Sequence, residues 1–534
     1  MKRFHAKITR RTALLTGILT PAAAFSAWKV QEYSADPSGE KVVEQLEPPW
    51  ANDGPLVAQT TRPAPDARLP WVQTGGSIND ASHINQTPIY GIVQVRREDD
   101  IRQALHFAQG NGLKVALAGV RHSMGGQAFY KDAVILDMTQ FNQVTLDETT
   151  RTITVQSGAT WHAIQNVLHP RYAVKAMQST DIFTVGGSIA VNAHGMDHRV
   201  GAIGRTIRSL RLMLADGALQ TLSPSEQPEL FALVIGGYGL FGVIVDAVLE
   251  ITENSIYHPG RRVIATADFP TLFENELLPE PKLGLMYGHL STAPQSLLEE
   301  MILYTYIAQD VPDAQIPPLG EVGSVKLRRF VLNFAKQGAW PMRLKWFAEK
   351  HIEPRMEACT VTRNQAMKDG ETCLVARNEP MHDSVKYLQN SLAGETDILH
   401  EYFIPRAQLL AFVDGLRRIV IDHSVNLLNA SVRVVHQEQN FLTYASVDAF
   451  SVVLYINQKT DQAGHAKMRT VTSALIDLTI RLGGRFFLPY QLHYTAEQLE
   501  QAYPEIRAFF AAKRTYDPQQ LFTNTFYEKY SVVI

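Results

Sequence analysis

A chain of 534 residues holds two large units or three to four ordinary ones, and 45% hydrophobic with 19% charged residues exclude a disordered chain or a coiled coil. Its 50 Lys and Arg against 53 Asp and Glu give a formal charge of −3, which leaves no electrostatic case for a dedicated nucleic-acid binder. The two cysteines, Cys359 and Cys373, exclude a disulfide scaffold, a zinc-ribbon array and a cysteine-ligated iron–sulfur cluster; they can pair in an oxidising compartment or stay as buried thiols.

Lys2, Arg3, Lys7, Arg10 and Arg11 precede the first acidic residue, Glu32. An apolar stretch over 13–27 follows, broken by Thr16, Gly17, Thr20 and Pro21, too short and interrupted for a good spanning helix. This is a signal-peptide pattern over 1–27. Arg10 and Arg11 before Thr12, Ala13, Leu14 and Leu15 resemble a twin-arginine signal, which implies periplasmic export of an already folded chain. Left uncleaved, the same segment would be a membrane anchor and the sole membrane contact. Residues 28–83 carry six prolines between Pro48 and Pro70 and no sustained period, and read as an irregular arm.

From residue 84 the pattern becomes regular. Residues 89–95 are β-branched and strand-like. Residues 97–110 place Ile101, Ala104, Leu105 and Ala108 at helical spacing and end at Gly110 and Gly112. A strand at 114–118 leads into Gly119, Val120, Arg121, His122, Ser123, Met124, Gly125, Gly126 and Gln127. Further strands are predicted at 133–138 and 153–157, and a helix at 160–168 capped by Thr160. A second glycine run, Gly186-Gly187-Ser188, precedes Asn192, Ala193, His194 and Gly195, and a third spans Gly236, Gly237, Tyr238 and Gly239. A tight turn explains any one such run. Three beside strand-like segments of one domain point to backbone laid against a ligand, because glycine lets N–H groups approach a pyrophosphate with no Cβ in the way.

Two motifs mislead. Residues 237–242 satisfy G-x-G-x-x-G, but they follow a helix-like 229–235 and open a β-branched strand at 243–251. That order is the reverse of a dinucleotide fold, so no nicotinamide-binding Rossmann domain is expected. His194, Asp197 and His198 lack a second ligand cluster, and Gly195 argues against one helical face, so no metal site is expected. Residues 257–480 then alternate strands and helices. Residues 400–405 read as a strand end, Leu409, Phe412, Val413, Leu416 and Ile419 as a helix stripe, 451–456 as a buried strand and 466–482 as a helix. Alternation over 431–435 puts Ser431 and Arg433 on one face.

In this order the segments resemble the vanillyl-alcohol-oxidase type flavoproteins, the family with the PCMH-type FAD domain. The resemblance implies an α+β fold: a two-subdomain FAD-binding domain over 84–256, an α+β substrate cap over 257–480, and a closing segment, 481–534, that returns to the FAD domain. Gly119, Val120, Arg121, His122 and Ser123 look like the family's first pyrophosphate loop, whose histidine often bonds to the flavin 8α-methyl. Covalent members usually carry glycine where Arg121 stands. Thr180 lies near where doubly linked members carry cysteine, so a second link is not expected. Gly125, Gly126, Gln127 and Ala128 resemble cytokinin dehydrogenases; Gly186, Gly187 and Ser188 look like the second loop. Asn192 to Gly195 with Arg199, Val200 and Gly201 resemble sugar-lactone and decaprenylphosphoryl-ribose oxidases. Gly239, Gly242, Val243 and Ile244 complete the implied FAD contacts. Gly483, Gly484, Arg485, Tyr503, Pro504, Arg514, Asp517, Pro518 and Phe522 are similar to the closing segment of the decaprenylphosphoryl-ribose oxidase branch.

The chemistry implied is oxidation of a CH–OH donor, a sugar, lactone or alditol, by hydride transfer to flavin N5 while a base takes the hydroxyl proton. Oxygen or another acceptor then takes the electrons. Arg433 matches an arginine that faces the ring in sugar-lactone and alditol oxidases, where a cation stabilises the anionic reduced flavin. Tyr490 stands where decaprenylphosphoryl-ribose oxidases place a lysine. Glu401, Asp181, His493 and Tyr490 are the candidate bases; Asp181 resembles the catalytic aspartate of cytokinin dehydrogenases. A cytokinin- or amine-type dehydrogenase, and a flavin-binding protein without turnover, are the alternatives.

Overall fold

Short β-branched runs build the first layer. Gly91–Gln94 and Val115–Ala118 flank Val134–Asp137 and run parallel to it. The helix Glu98–Gly110 makes the crossover. Its Ile101, Ala104, Leu105 and Ala108 are fully buried against Val93, Val115, Val134 and Leu136, as the 3.6-residue spacing predicts. Asp100 starts it by accepting the backbone N–H of Arg96 and Arg97, both at 3.0 Å. The computed structural model describes residues 29–35, 63–310, 316, 318–320, 325–352, 374–383, 385, 388 and 390–534; Cys359, Cys373 and the expected signal over 1–27 lie outside them.

The arm over 28–83 is not irregular throughout, because Trp71–Thr74 adds an antiparallel edge strand to Gly91–Gln94. Four residues are too few to show a period. The strand is held by aromatic packing, Trp71 lying 5.7 Å from the rings of both Tyr90 and Phe107.

A second sheet follows, in the order Leu219–Leu222, Ile207–Met213, Val243–Glu253, Thr152–Gln156, Val144–Asp147, with Tyr172–Val174 paired to the far end of Val243–Glu253. Thr160 caps the helix Trp161–Leu168 through its hydroxyl, as expected, accepting from Ala163 N at 3.3 Å. The helix Pro228–Val234 precedes the third glycine run and the strand Val243–Glu253 follows it, the helix-to-strand order that excludes a Rossmann turn.

Among the described residues the third sheet has eight antiparallel strands, in the order Val375–Ala376, Ile256–Ala265, Glu300–Gln309, Leu283–Leu290, Asn426–Val435, Ala449–Lys459, Glu395–Pro405, Arg485–Phe486. The helices Leu409–Asp422 and Gln462–Arg481 share a core with Ile398, Ile404, Val432, Val452 and Leu454. The register sets the other face. Glu401, Val453 and Ser431 form one cross-strand row, and Phe403, Ser451 and Arg433 the next. With a side-chain period of two, all six stand opposite the helices. Among the described residues no helix is long and apolar enough to cross a membrane.

The end of the chain returns to the first sheet. Val115 N donates to Leu521 O at 2.8 Å and Thr523 N to Val115 O at 3.0 Å. Asp517 makes this turn: its buried carboxylate accepts from Leu521 N at 3.0 Å, Phe522 N at 2.9 Å and Lys513 Nζ. Burial pulls the Lys513 ammonium down to about 8, and Asp517 opposes that shift. Removing one partner of a buried ion pair leaves the other charge uncompensated. Asp517→Ala should therefore cost about 3–5 kcal/mol in denaturant unfolding, whereas an exposed-site control such as Asp216→Ala should stay within about 0.5 kcal/mol.

Candidate active site

A cavity of about 730 Å³ lies where the three glycine runs meet the large sheet. Residues 119–124 of the first run form one wall. The loop bends through left-handed backbone at Arg121, Met124 and Gly126, with φ of 60°, 61° and 62°. Arg121 thus takes the conformation that glycine adopts without a Cβ penalty, and the loop keeps its course despite the arginine. Among the described residues, no backbone N–H from Gly119 to Gly125 donates a hydrogen bond. A Cβ at Gly119 would collide with Thr184 Oγ1 beside the second run, and one at Gly125 with the carbonyl of Tyr490. The loops therefore touch each other and the closing segment as bare backbone.

Asp80 fixes the loop's far end. Its carboxylate accepts from Gly126 N at 2.7 Å, Ser82 Oγ at 2.5 Å and Asn85 Nδ2 at 2.9 Å. Burial raises its pKa, and these hydrogen bonds oppose the rise. Asp80 lay in the stretch read as an arm, so its role was not visible in the sequence.

Gly186, Gly187 and Ser188 of the second run also line the cavity, as do Gln127, Gly239, Val243 and Ile244. Gln127 Oε1, Ser157 Oγ, Thr180 Oγ1 and Arg433 Nε are buried polar atoms of lining residues with no hydrogen-bond partner among the described residues. Such a group typically costs about 1–3 kcal/mol when left unpaired. A row of free backbone donors plus these atoms fits a polar, phosphate-bearing ligand such as FAD. His122 stands in the same wall, edge-on to Phe183 at 5.6 Å. Burial, then the Arg121 charge, lowers its pKa to about 4, so its imidazole is neutral at physiological pH.

The opposite wall is the large sheet. Glu401, 5% exposed, accepts from His194 Nε2 and from Ser451 Oγ on Oε1, both at 2.5 Å. Its Oε2 meets the Tyr490 hydroxyl at 3.5 Å. Burial raises the Glu401 pKa, but His194, Arg433 and Ser451 outweigh it and hold the group below its usual value. Burial, then Glu401, pushes Tyr490 well up, so it stays protonated. Glu401, Tyr490 and Arg433 all line the cavity, and so does His194, which sequence reasoning had weighed only as a metal ligand and a motif member. Asp397 adds a second buried carboxylate, paired to Lys336 Nζ at 2.6 Å and to Asn457 Nδ2 at 2.8 Å.

Five expected site residues stand outside the cavity. Asp181 turns away and takes His162 Nδ1 at 2.8 Å. His493 Nδ1 bonds Thr472 Oγ1 at 3.0 Å. Asn192 braces the second run, accepting from Gly204 N at 2.9 Å. Gly195 leaves room for the Met177 carbonyl. Gly242, at φ 153°, passes so close to Met213 that a Cβ would lie 2.6 Å from its carbonyl oxygen. His194, Asp197 and His198 do not converge either, since Asp197 is paired with Arg377.

Comparison with known proteins agrees with this geometry. Residues 89–223 match the family described as FAD binding domain, and residues 348–530 that described as D-arabinono-1,4-lactone oxidase. The chain is 30% identical over 158 residues to decaprenylphosphoryl-beta-D-ribose oxidase of Mycolicibacterium smegmatis, covering 29% of this chain and 34% of that one. It is 33% identical over 113 residues to D-arabinono-1,4-lactone oxidase of Yarrowia lipolytica, covering 21% and 22%. It is 29% identical over 175 residues to cytokinin dehydrogenase 2 of Arabidopsis thaliana, covering 32% and 34%. The chain thus spans well under half the length of these curated relatives. A solved structure of a solvent-stable cholesterol oxidase superposes with a TM-score of 0.65 over 88% of this chain and 99% of that one, at 16% identity, a likeness of fold alone.

Gly125→Ala should lower the FAD content, read as flavin absorbance per chain after gel filtration, because the new Cβ pushes the first loop off Tyr490. Gly110→Ala, whose Cβ meets nothing within 4 Å, should leave it unchanged. In its glycine loops, its α+β architecture and its matches over 89–223 and 348–530 the chain is similar to the PCMH-type FAD-binding flavoproteins.

Proposed function

We propose that the chain is an FAD-dependent oxidoreductase that oxidises a CH–OH carbon of a sugar, a sugar lactone or an alditol. The observation that carries this reading is the set formed by Glu401, His194, Tyr490 and Arg433 on the wall facing the glycine loops. The bound FAD would supply the hydride acceptor; the residues supply binding, orientation and charge. Glu401 is ionised at neutral pH. Its Oε1 is taken by two donors, while Oε2 has only the long Tyr490 contact, so Oε2 is the atom placed to accept the substrate's hydroxyl proton. Tyr490 donates to a substrate oxygen. Arg433 brings an unsatisfied N–H to the place where negative charge develops.

Two names among the relatives, a lactone oxidase and a ribose oxidase, support a sugar-like donor. Tyr490 offers a neutral donor where the ribose-oxidase branch carries a lysine, which favours an uncharged lactone or alditol over a phosphate-linked sugar. The cytokinin-type reading loses its base, because Asp181 lies outside the cavity. Oxygen or another acceptor would reoxidise the flavin. An exported setting belongs to the same proposal and rests on the pattern of residues 1–27 alone.

Glu401→Gln should slow anaerobic flavin reduction by about 10²–10⁴, and Arg433→Ala by about 10²–10³, both with FAD content near wild type. The base must be deprotonated and its carboxyl is held below the usual carboxylate range, so the wild-type reduction rate should stay level around neutrality and fall only in acid. An acid limb centred near neutrality would assign the proton transfer to another group.

We further propose a covalent bond from His122 to the flavin 8α-methyl. A neutral imidazole offers the lone pair that such a bond needs, and the ring stands in the cavity wall. The 8α-methyl would lose a C–H proton and the ring its N–H proton, and the two electrons left on the flavin would pass to oxygen or the other acceptor that reoxidises it. Acid precipitation should keep the yellow colour in the pellet for wild type and release it for His122→Ala; release from wild type would refute the bond.

A further inference from the structure

We propose that His162, Asp181 and His382 bind one divalent transition-metal ion, Zn²⁺, in a structural site behind the cavity wall. The three come from separate segments: the helix Trp161–Leu168, the stretch before the second glycine run, and the residue that follows the short helix Glu379–Met381. His162 Nδ1 lies 2.8 Å and His382 Nδ1 3.2 Å from the same oxygen, Asp181 Oδ2. The two rings stack at 4.7 Å with planes 19° apart, and one ligand atom from each residue falls within 4.8 Å of the others. Gln165, one turn along the helix from His162, brings Oε1 to 2.7 Å from His382 Nδ1; its Nε2 is turned to Asn378 O at 3.3 Å. Two imidazoles and a carboxylate thus converge, with a carboxamide oxygen beside one of the rings.

Hydrogen bonding alone leaves this cluster unbalanced. Asp181 Oδ2 takes both rings, while Oδ1 of the same carboxylate is buried without a partner, on a side chain only 1% exposed. An ion held by the carboxylate would correct that imbalance. A neutral-imidazole and oxygen donor set suits Zn²⁺, with bonds of about 2.0–2.2 Å. Such bonds put tetrahedral ligand atoms roughly 3.3 Å apart, so the 2.7–3.2 Å separations need to open by a few tenths of an ångström while the widest pair of ligand atoms, within 4.8 Å, closes. The His162 side chain is 38% exposed and gives the ion access from solvent.

The site has a structural consequence. Thr180 and Phe183 flank Asp181 and line the cavity; Val385, Leu388 and Asn390, beyond His382, line it too. An ion here would pin these two stretches of wall together, through residues that do not themselves line the cavity.

The test uses the full-length, FAD-loaded protein, stripped with EDTA and titrated calorimetrically with Zn²⁺ alone. One Zn²⁺ should bind per chain with micromolar or tighter affinity and raise the thermal midpoint. His162→Ala, an exposed ring whose loss spares the core, should weaken binding by more than the roughly 10–100-fold that even an outer-shell partner contributes, and abolish the midpoint rise; Asp181→Asn should do the same. Unchanged flavin absorbance reports that each variant has folded. No uptake by the stripped wild type, or uptake that neither variant weakens, would overturn the site and leave the cluster a hydrogen-bonded His–Asp–His group.

Discussion

His194 and Glu401 are separated by 207 positions in the sequence and by 2.5 Å in space, and neither is exposed. A carboxylate cannot be buried alone, so the large sheet must present Glu401 where the segment after the second glycine run presents a ring nitrogen. The rest of the architecture serves that meeting. Phe403, two residues on, stacks on Tyr444 at 4.1 Å, and the Tyr444 hydroxyl donates to Asn192 O at 2.7 Å. Asn192 in turn holds the turn at Gly204. The position of the sheet relative to the loops is thus set by one buried charge and a short chain of contacts around it.

The cofactor side works by the opposite means. There the chain withholds side chains and leaves backbone donors unpaired, and it stabilises the loop from behind. Asp80 grips Gly126, Thr184 fills the space over Gly119, and the Tyr490 backbone lies on Gly125. Among the described residues five buried polar atoms of lining side chains, His194 Nδ1 included, are left unsatisfied, a cost that only a bound polar partner removes. Rigid support beneath an unsatisfied surface keeps the donors in place before the ligand arrives.

Local periodicity carried most of the fold. The helix at 98–110, the strands around 115 and 134 and the buried strand at 449–459 follow from spacing, and the helix-to-strand order around 237–242 was enough to reject a dinucleotide fold. Ser431 and Arg433 share a face because a strand alternates. Pairings between distant residues were not legible in this way. Nothing near His194 announces Glu401, and Asp80 sits between strands too short to show a pattern. Asp181 lies next to two cavity residues, Thr180 and Phe183, yet points elsewhere, since the direction of one side chain in a turn is set by backbone angles that composition does not encode. Arg121 shows the converse: a residue type that argues against a left-handed angle occupies one because its neighbours fix the loop.

The return of the last segment governs the order of assembly. Val115 waits for Leu521 and Thr523, Gly125 for Tyr490, and Tyr238 for Asn524, which donates to its carbonyl at 2.9 Å. A chain emerging from the ribosome can form the helix at 98–110 and the parallel pair beside it, but the cofactor cradle stays open along one side until residues 490–524 have been made. Contacts this distant in sequence form late, after local structure has been made. FAD therefore meets a finished cradle only once Asn524 has been made, and any truncation before that residue removes part of its wall as well as the strap that closes it.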